Sequence, residues 1–167
     1  MHSIIMREHA QRLFYYDRWA NDQVFTALAA MDKPPDHAVQ RMNHVVAALD
    51  LWQCRLSGKP NPKIDLLSPG WSLEEGKRRL GEVHDGWASI LAPLTDDDLF
   101  QTITWTRYEG GQYRAMLRDI VTQLPMHGSY HRGQLSILLK DLLPGPFEID
   151  YIFTTWEPAP EPAASGS

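Results

Sequence analysis

Apolar residues recur every three or four positions in four long segments of the chain, and segments rich in proline, glycine or aspartate separate them. This spacing predicts α-helices, because positions three and four apart lie on the same face of a helix. Four helices without a visible sequence repeat predict an all-α four-helix bundle. The predicted helices run from about Ile4 to Met31, from Ala38 to Ser57, from the N-cap Ser72 to Pro93, and from Arg114 to Leu143.

Local sequence signals add detail at three places. Ser72 precedes the third helix and Glu75 follows three residues later, a spacing that predicts a capping box. Between Phe100 and Tyr113 the pattern changes to alternation around Glu109-Gly110-Gly111, which predicts a short β-hairpin before the last helix. Pro125 lies inside the predicted last helix and should kink it, because its ring crowds an earlier carbonyl group.

Length and composition favour a single domain. The 167 residues are 43% hydrophobic, which is enough for one core but short for two ordinary domains. We expect one domain over residues 1–156, with the apolar segment from Phe147 to Trp156 packed back on the bundle. Residues 157–167 are mostly Pro, Ala, Ser and Gly, and this composition predicts a disordered tail.

Charge and hydropathy exclude several classes of function. The formal charge of −5 and the scattered basic residues argue against a nucleic-acid partner. No stretch approaches the roughly 18 apolar residues of a membrane span, and the N-terminus lacks the pattern of a signal peptide. We therefore expect a cytoplasmic protein without a membrane partner. The run from Asp96 to Asp98 is expected to be a solvated turn or helix start. Cys54 is the only cysteine, so histidine and carboxylate side chains must supply any metal ligands.

The most informative motif is the HxxxH pair of His127 and His131, on the apolar stripe of the last predicted helix. Residues four apart lie on adjacent turns of one helix face, so two imidazoles at this spacing can bind one metal ion. Two neutral imidazoles on a core-facing stripe need polar partners, and a shared cation would serve both. Gly128 occupies the position at which HExxH metallopeptidases carry their glutamate, so a peptidase is disfavoured.

A catalytic centre of the zinc type takes three protein ligands, so the pair needs a further donor, most easily from another helix. His44 and His84 are the candidates. We expect His44 to be the more buried of the two, because the small or apolar residues Ala47, Ala48 and Leu51 follow it and would admit a close helix.

Other groups of the site cannot be selected by spacing. Tyr15, Asp17 and Asp50 are candidate general bases, although surface or packing roles are the usual ones for such residues. Gln134 and Asn43 are candidates for orienting the ligating histidines, with a helix-surface role as the alternative for each.

Three stretches of the chain resemble the DinB/YfiT-like family of metalloenzymes. They are Tyr15-Tyr16-Asp17-Arg18-Trp19-Ala20-Asn21, Met42-Asn43-His44-Val45 and His127-Gly128-Ser129-Tyr130-His131-Arg132-Gly133-Gln134. The resemblance implies a four-helix bundle, commonly dimeric, that binds a divalent metal such as nickel or zinc through three histidines. Those histidines match His44, His127 and His131 of this chain. Relatives include thiol-dependent transferases and isomerases.

Together, the motif and the resemblance predict a protein that binds one divalent cation, zinc or nickel, through three histidines. It would act on a small-molecule substrate as a metal-dependent hydrolase or a thiol-dependent transferase, and we expect a homodimer. The alternative is a non-catalytic bundle, stabilised by its metal, that serves as a binding or stress-response protein. Cys54 as a nucleophile is a third hypothesis, weakened because ten helical residues place it about 15 Å along the axis from His44.

Overall fold

The four predicted α-helices are present in the computed structural model, which describes residues 6–155 and Glu157. In chain order, the helices are α1 (Met6–Ala29), α2 (Asp36–Leu56), α3 (Leu73–Leu91) and α4 (Leu117–Leu138). Two antiparallel strands, β1 (Thr102–Thr106) and β2 (Gln112–Met116), form the predicted hairpin before α4. Short 3₁₀ helices lie at Asp97–Phe100 and Tyr151–Thr154. The predicted fold class, an all-α bundle with a small β element, is confirmed.

The first three helices agree with their predicted bounds to within a few residues, although the predicted start of α1 at Ile4 lies outside the described residues. The predicted start of α4 at Arg114 is wrong. Arg114 belongs to β2, where it lies opposite Thr104 of β1. The helix begins at Leu117, whose backbone N–H donates to the carbonyl of Gln101 before the hairpin (2.9 Å). Residues that the apolar spacing had assigned to the start of the helix therefore belong to the hairpin.

The other end of α4 also differs from its predicted bound. The helix ends at Leu138 rather than Leu143. The chain continues in turns, with the N–H of Leu143 donating to the carbonyl of Leu139 (3.1 Å). Pro125 lies within α4, and the helical backbone continues on both sides of it. The kink expected there stays a prediction.

The core forms where α1 and α2 each pack against both α3 and α4. Trp87 of α3 is fully buried, and its ring packs on Phe14 of α1 with the centroids 4.7 Å apart. Its indole Nε1–H donates to the backbone carbonyl of Leu49 in α2 (3.2 Å). This bond satisfies the polar end of a side chain whose burial stabilises the fold by about 2–3 kcal/mol. One aromatic residue thus joins three of the four helices.

The local signals of the sequence are confirmed in part. The Oγ of Ser72 accepts from the N–H of Glu75 (3.1 Å), as the capping box predicts. The Glu75 carboxylate pairs with Arg78 and Arg79, so only the serine half of the box accounts for the helix start. Gly110 has a φ of 88° at the tip of the hairpin, in the left-handed region that glycine adopts readily.

Two further segments lie where the sequence predicts them. The acidic run forms a 3₁₀ helix start, in which the Asp98 carboxylate accepts from the N–H of Thr95 (2.8 Å). After α4, Phe147 and Ile149 pack against the core. Trp156 and the predicted tail, apart from Glu157, lie outside the described residues. Among the helices of the described part, none has both the length and the apolar character needed to cross a bilayer.

Candidate metal centre

Three histidine side chains meet between α2 and α4. His44 lies on α2, while His127 and His131 lie one turn apart on α4. The Nε2 atom of His127 is 3.2 Å from Nε2 of His44 and 3.0 Å from Nε2 of His131. One potential ligand atom from each histidine lies within 4.8 Å of those of the other two. The three residues that the sequence selected therefore form one cluster.

Hydrogen bonds at the far side of two rings determine which nitrogen carries the proton. Nδ1 of His44 lies 2.6 Å from the carbonyl oxygen of Leu66, in the loop between α2 and α3. Nδ1 of His131 lies 2.9 Å from Oε1 of Gln134. Both partners are acceptors, so both Nδ1 atoms carry hydrogen and donate. The Nε2 atoms of His44 and His131 consequently present lone pairs to the centre of the cluster.

Arg41 of α2 orients Gln134. Its Nη1 donates to Oε1 of Gln134 (2.9 Å), the same atom that accepts from His131. A guanidinium group can only donate, so the atom of Gln134 that faces it must be the amide oxygen rather than the nitrogen. Arg41 thereby selects the amide orientation, and the amide in turn selects the tautomer of His131. Gln134 therefore contacts a histidine of the cluster, whereas its orienting role for a metal ligand stays a prediction.

Burial favours the neutral form of two imidazoles of the cluster, His127 and His131. The pKa of His127 is lowered to about 4, mainly by burial and then by the charges that His131 and His44 would carry, against the opposing effect of Asp17. Burial also lowers the pKa of His131, although the hydrogen bond that His131 donates to Gln134 opposes this shift. Neutral imidazole is the form that binds a metal ion.

A divalent cation fits the donor set of this cluster. The lone pairs on Nε2 of His44 and His131 both face Nε2 of His127 at hydrogen-bond distance, and either a proton on His127 or a shared cation satisfies them. A tetrahedral zinc ion with zinc–nitrogen distances of about 2.1 Å holds its nitrogen ligands about 3.4 Å apart. The observed separations of 3.2 and 3.0 Å are close to that value. Within the described part of the chain the group of potential ligands has three members, so a four-coordinate cation bound by them would have one position left for water or substrate.

A cavity of about 480 Å³ reaches two of the three histidines. His44 and His131 lie on its wall, together with Arg41 and with Leu67 and Ser68 from the loop after α2. Small-molecule sites usually have volumes of about 300–1,000 Å³. The open side of the cluster is therefore large enough for a small substrate.

A second polar cluster lies on the neighbouring face of α4, and it is closed. Asp17 and Arg132 are both buried, with Asp17 Oδ1 2.7 Å from Nη1 of Arg132. Asn21 accepts from the same Nη1 (2.6 Å) and donates to Asp17 Oδ2 (2.9 Å), while Ser129 accepts from Nη2 (2.9 Å). The charges cancel and most of the polar atoms are paired, so this network holds α1 against α4.

The network also explains the glycine inside the HxxxH motif. A Cβ atom at Gly128 would overlap Oδ1 of Asp17 and would lie 2.7 Å from Nη1 of Arg132. A side chain at this position would displace the ion pair. The glutamate of the HExxH peptidases therefore cannot be accommodated at Gly128 without rearranging the contact between α1 and α4.

His84 is separate from the histidine cluster. It lies on α3 and is 4% exposed, with its Nε2 3.5 Å from Oδ2 of Asp17. The expectation that His44 is the more buried of the two is wrong. Both histidines line a cavity, but α1 covers His84 with the ring of Phe14 and the Asp17 carboxylate.

The candidate general bases make their contacts elsewhere. Asp17 is held by Arg132, as described above. Tyr15 is 65% exposed beside His84, on the wall of a separate cavity of about 380 Å³ between α1 and α3. Asp50 lines a smaller cavity of about 110 Å³ between α2 and α3. The structure therefore assigns none of them to the histidine cluster as its base.

Two other candidates also act away from the cluster. The Asn43 amide donates to the carbonyl of Trp71 (2.7 Å), so it connects α2 to the start of α3 instead of orienting a histidine. Burial, with a smaller effect of the Asp50 charge, raises the pKa of the Cys54 thiol. Because the thiolate is the nucleophilic form, this shift argues against Cys54 as a nucleophile.

Sequence reasoning missed three residues that shape the site, namely Arg41, Leu66 and Arg132. Arg41 lies three residues before His44, and this spacing on one helix face could have identified it. Arg132 directly follows the HxxxH motif, but its partner Asp17 is 115 positions away. Leu66 acts through its backbone carbonyl, so no side-chain pattern could have indicated it.

One known protein family matches the part of the chain that carries the three histidines. A family model described as the DinB superfamily matches residues 26–135, about two thirds of the chain. The matched residues include His44, His127, His131 and Gln134, whereas the stretch from Tyr15 to Asn21 precedes them. No curated protein matches the chain.

Proposed function

The chain belongs to the DinB superfamily, and we propose that it is a metal-dependent enzyme whose centre is the cluster of His44, His127 and His131. In this proposal the three imidazoles bind one divalent cation, with zinc or nickel as the leading candidates. The reaction is a hydrolysis or a thiol transfer on a small-molecule substrate. The observation that carries the proposal is the convergence of the three Nε2 atoms beside an open cavity.

The residues of the chain prepare this centre in two ways. Leu66 and Gln134 accept from the Nδ1–H groups of His44 and His131, so both rings offer Nε2 without first losing a proton. Burial keeps His127 neutral, with its pKa near 4. When bound, the cation supplies Lewis-acid chemistry for hydrolysis or for thiol transfer.

A non-catalytic bundle stabilised by its metal, acting as a binding or stress-response protein, is the alternative. A fourth protein ligand would close the site and favour that role. The described residues supply three potential ligands, and the cavity adjoins two of them. These observations support catalysis over a scaffold. A homodimer, a cytoplasmic location and the absence of a nucleic-acid partner stay predictions from the sequence.

Metal content tests the proposal directly. We expect protein purified without chelators and dialysed against zinc or nickel to hold about one metal ion per chain. The His127→Ala variant should hold little, because two histidines on different helices form a much weaker site. Elemental analysis of folded protein, checked by circular dichroism, gives the ratio.

The matched control is His9→Ala, since His9 is an exposed histidine on α1. It should retain the metal. Wild-type protein that takes up no metal, or a His127→Ala variant that keeps a full load, would overturn the proposed centre. Loaded protein is then assayed for ester hydrolysis and for thiol transfer.

A further inference from the structure

The cavity beside the histidine cluster is lined along one face of α2. His37, Arg41 and His44 occur at steps of four and three residues, so their side chains follow one another along the helix. His37 is exposed at the mouth, whereas Arg41 and His44 are partly buried farther in. A molecule that reaches the histidines through this cavity therefore passes Arg41.

Arg41 has no carboxylate counter-ion in the described part of the chain. Among the described residues its hydrogen bond goes to the neutral amide of Gln134, and no carboxylate lies within ion-pair distance of it. Asp36 lines the same cavity but is exposed at the mouth and does not pair with Arg41. A guanidinium has five N–H donors, and the bond to Gln134 uses one nitrogen. The remaining donors are available to a ligand in the cavity.

We propose that Arg41 binds an anionic group of the substrate, and that the substrate class is a small monocarboxylate. The planar fork of a guanidinium matches the two oxygens of a carboxylate and forms two parallel bonds with it. Asp36 at the mouth disfavours a second negative charge, which selects a single carboxylate over a dianion such as phosphate. The carboxylate held at Arg41 directs the remainder of the molecule to the three histidines.

This inference rests on the proposed function, because it takes the histidine cluster as the reacting centre. In the alternative, Arg41 only orients Gln134 and, through Gln134, His131. The two roles differ in one measurable respect. A residue that only orients Gln134 affects charged and neutral ligands alike, whereas a residue that binds a carboxylate affects the charged ligand alone.

The test compares propionate with its neutral isostere propionamide on zinc-loaded protein, by titration calorimetry or by NMR chemical shifts. We expect wild-type protein to bind propionate at least about tenfold more tightly than propionamide. Arg41→Met should lose this preference, and Arg41→Lys should keep part of it because the charge remains but the fork is lost. Arg12→Met, which removes an exposed arginine of α1, should keep all of it.

Two results would overturn the inference. One is a wild-type protein without preference for propionate, which requires no variant to fold. The other is an Arg41→Met variant that keeps the wild-type preference, because the anion would then be bound by the zinc alone. The zinc content of every sample is measured in parallel. If wild-type protein takes up no zinc, the proposed metal centre is wrong. The two ligands are then compared on metal-free protein, in which Arg41 alone would supply the preference for propionate.

Discussion

Two polar clusters inside the bundle share the same stretch of α4, yet they differ in what they leave unpaired. On one face, Asp17 and Arg132 neutralise each other, and Asn21 and Ser129 bond to them. On the adjacent face, Nε2 of His44 and of His131 direct lone pairs at Nε2 of His127 beside an open cavity. The closed cluster holds two helices together, whereas the histidine cluster faces an opening through which a ligand from outside the chain can reach it.

The two clusters also correspond to the three stretches that carry the family resemblance. The Asp17–Arg132 pair joins the first stretch, on α1, to the last, on α4. The histidine contacts join the second stretch, on α2, to the same last stretch. Residues next to each other in α4 therefore serve different helices, because successive positions on a helix point in different directions.

The largest effect on stability is expected from breaking the closed cluster, which consists of Asp17, Asn21, Ser129 and Arg132. Asp17→Ala leaves the buried guanidinium of Arg132 without its counter-charge, and loss of one partner of a buried pair costs about 3–5 kcal/mol. Urea denaturation of the metal-free protein measures this change in the free energy of unfolding. A loss below about 1 kcal/mol would mean that the pair resembles a surface ion pair and does not hold α1 against α4.

A smaller effect is expected where the closed cluster excludes side chains. Gly128→Ala places a methyl group against Asp17 and Arg132, and such overpacking costs about 1–3 kcal/mol. The matched control is Gly133→Ala on the same helix, where a Cβ atom meets nothing within 4 Å. That change should stabilise the protein by about 0.5–1 kcal/mol, because alanine favours a helix interior over glycine. Equal effects of the two substitutions on the free energy of unfolding would contradict the packing described for Gly128.

The smallest effect on stability is expected at the open cluster of His44, His127 and His131. Gln134→Leu removes the acceptor of the His131 Nδ1–H and should leave the stability of the metal-free protein nearly unchanged. It should nevertheless weaken zinc affinity by about 10–100-fold, as loss of such an orienting bond typically does. Competition with a chromogenic chelator measures the affinity. Unchanged zinc affinity would show that the hydrogen bond to Gln134 does not help His131 to bind a metal. The proposed difference between the open and the closed cluster would then be unsupported.

The fold could be predicted from the sequence to the level of its elements. Apolar spacing located the first three helices to within a few residues, because that spacing determines which face of a helix can be buried. It failed at α4, where residues up to Met116 pair with β1 and the helix ends before Leu143. Cross-strand pairing and turn formation depend on residues distant in the chain, so a local pattern could not locate those ends.

For the candidate site, the sequence by itself determined the HxxxH pair and left His44 and His84 as candidates for a third ligand, because ligand type and helix spacing are local properties. The family resemblance favoured His44. Only the tertiary structure decided which histidine of α2 or α3 meets the pair and which nitrogens are free. It also decided that Arg41 reaches the cavity and that Asp17 pairs with Arg132 rather than serving as a base. The physical reason is that tautomers, ion pairs and burial are set by groups that come together only when the helices pack.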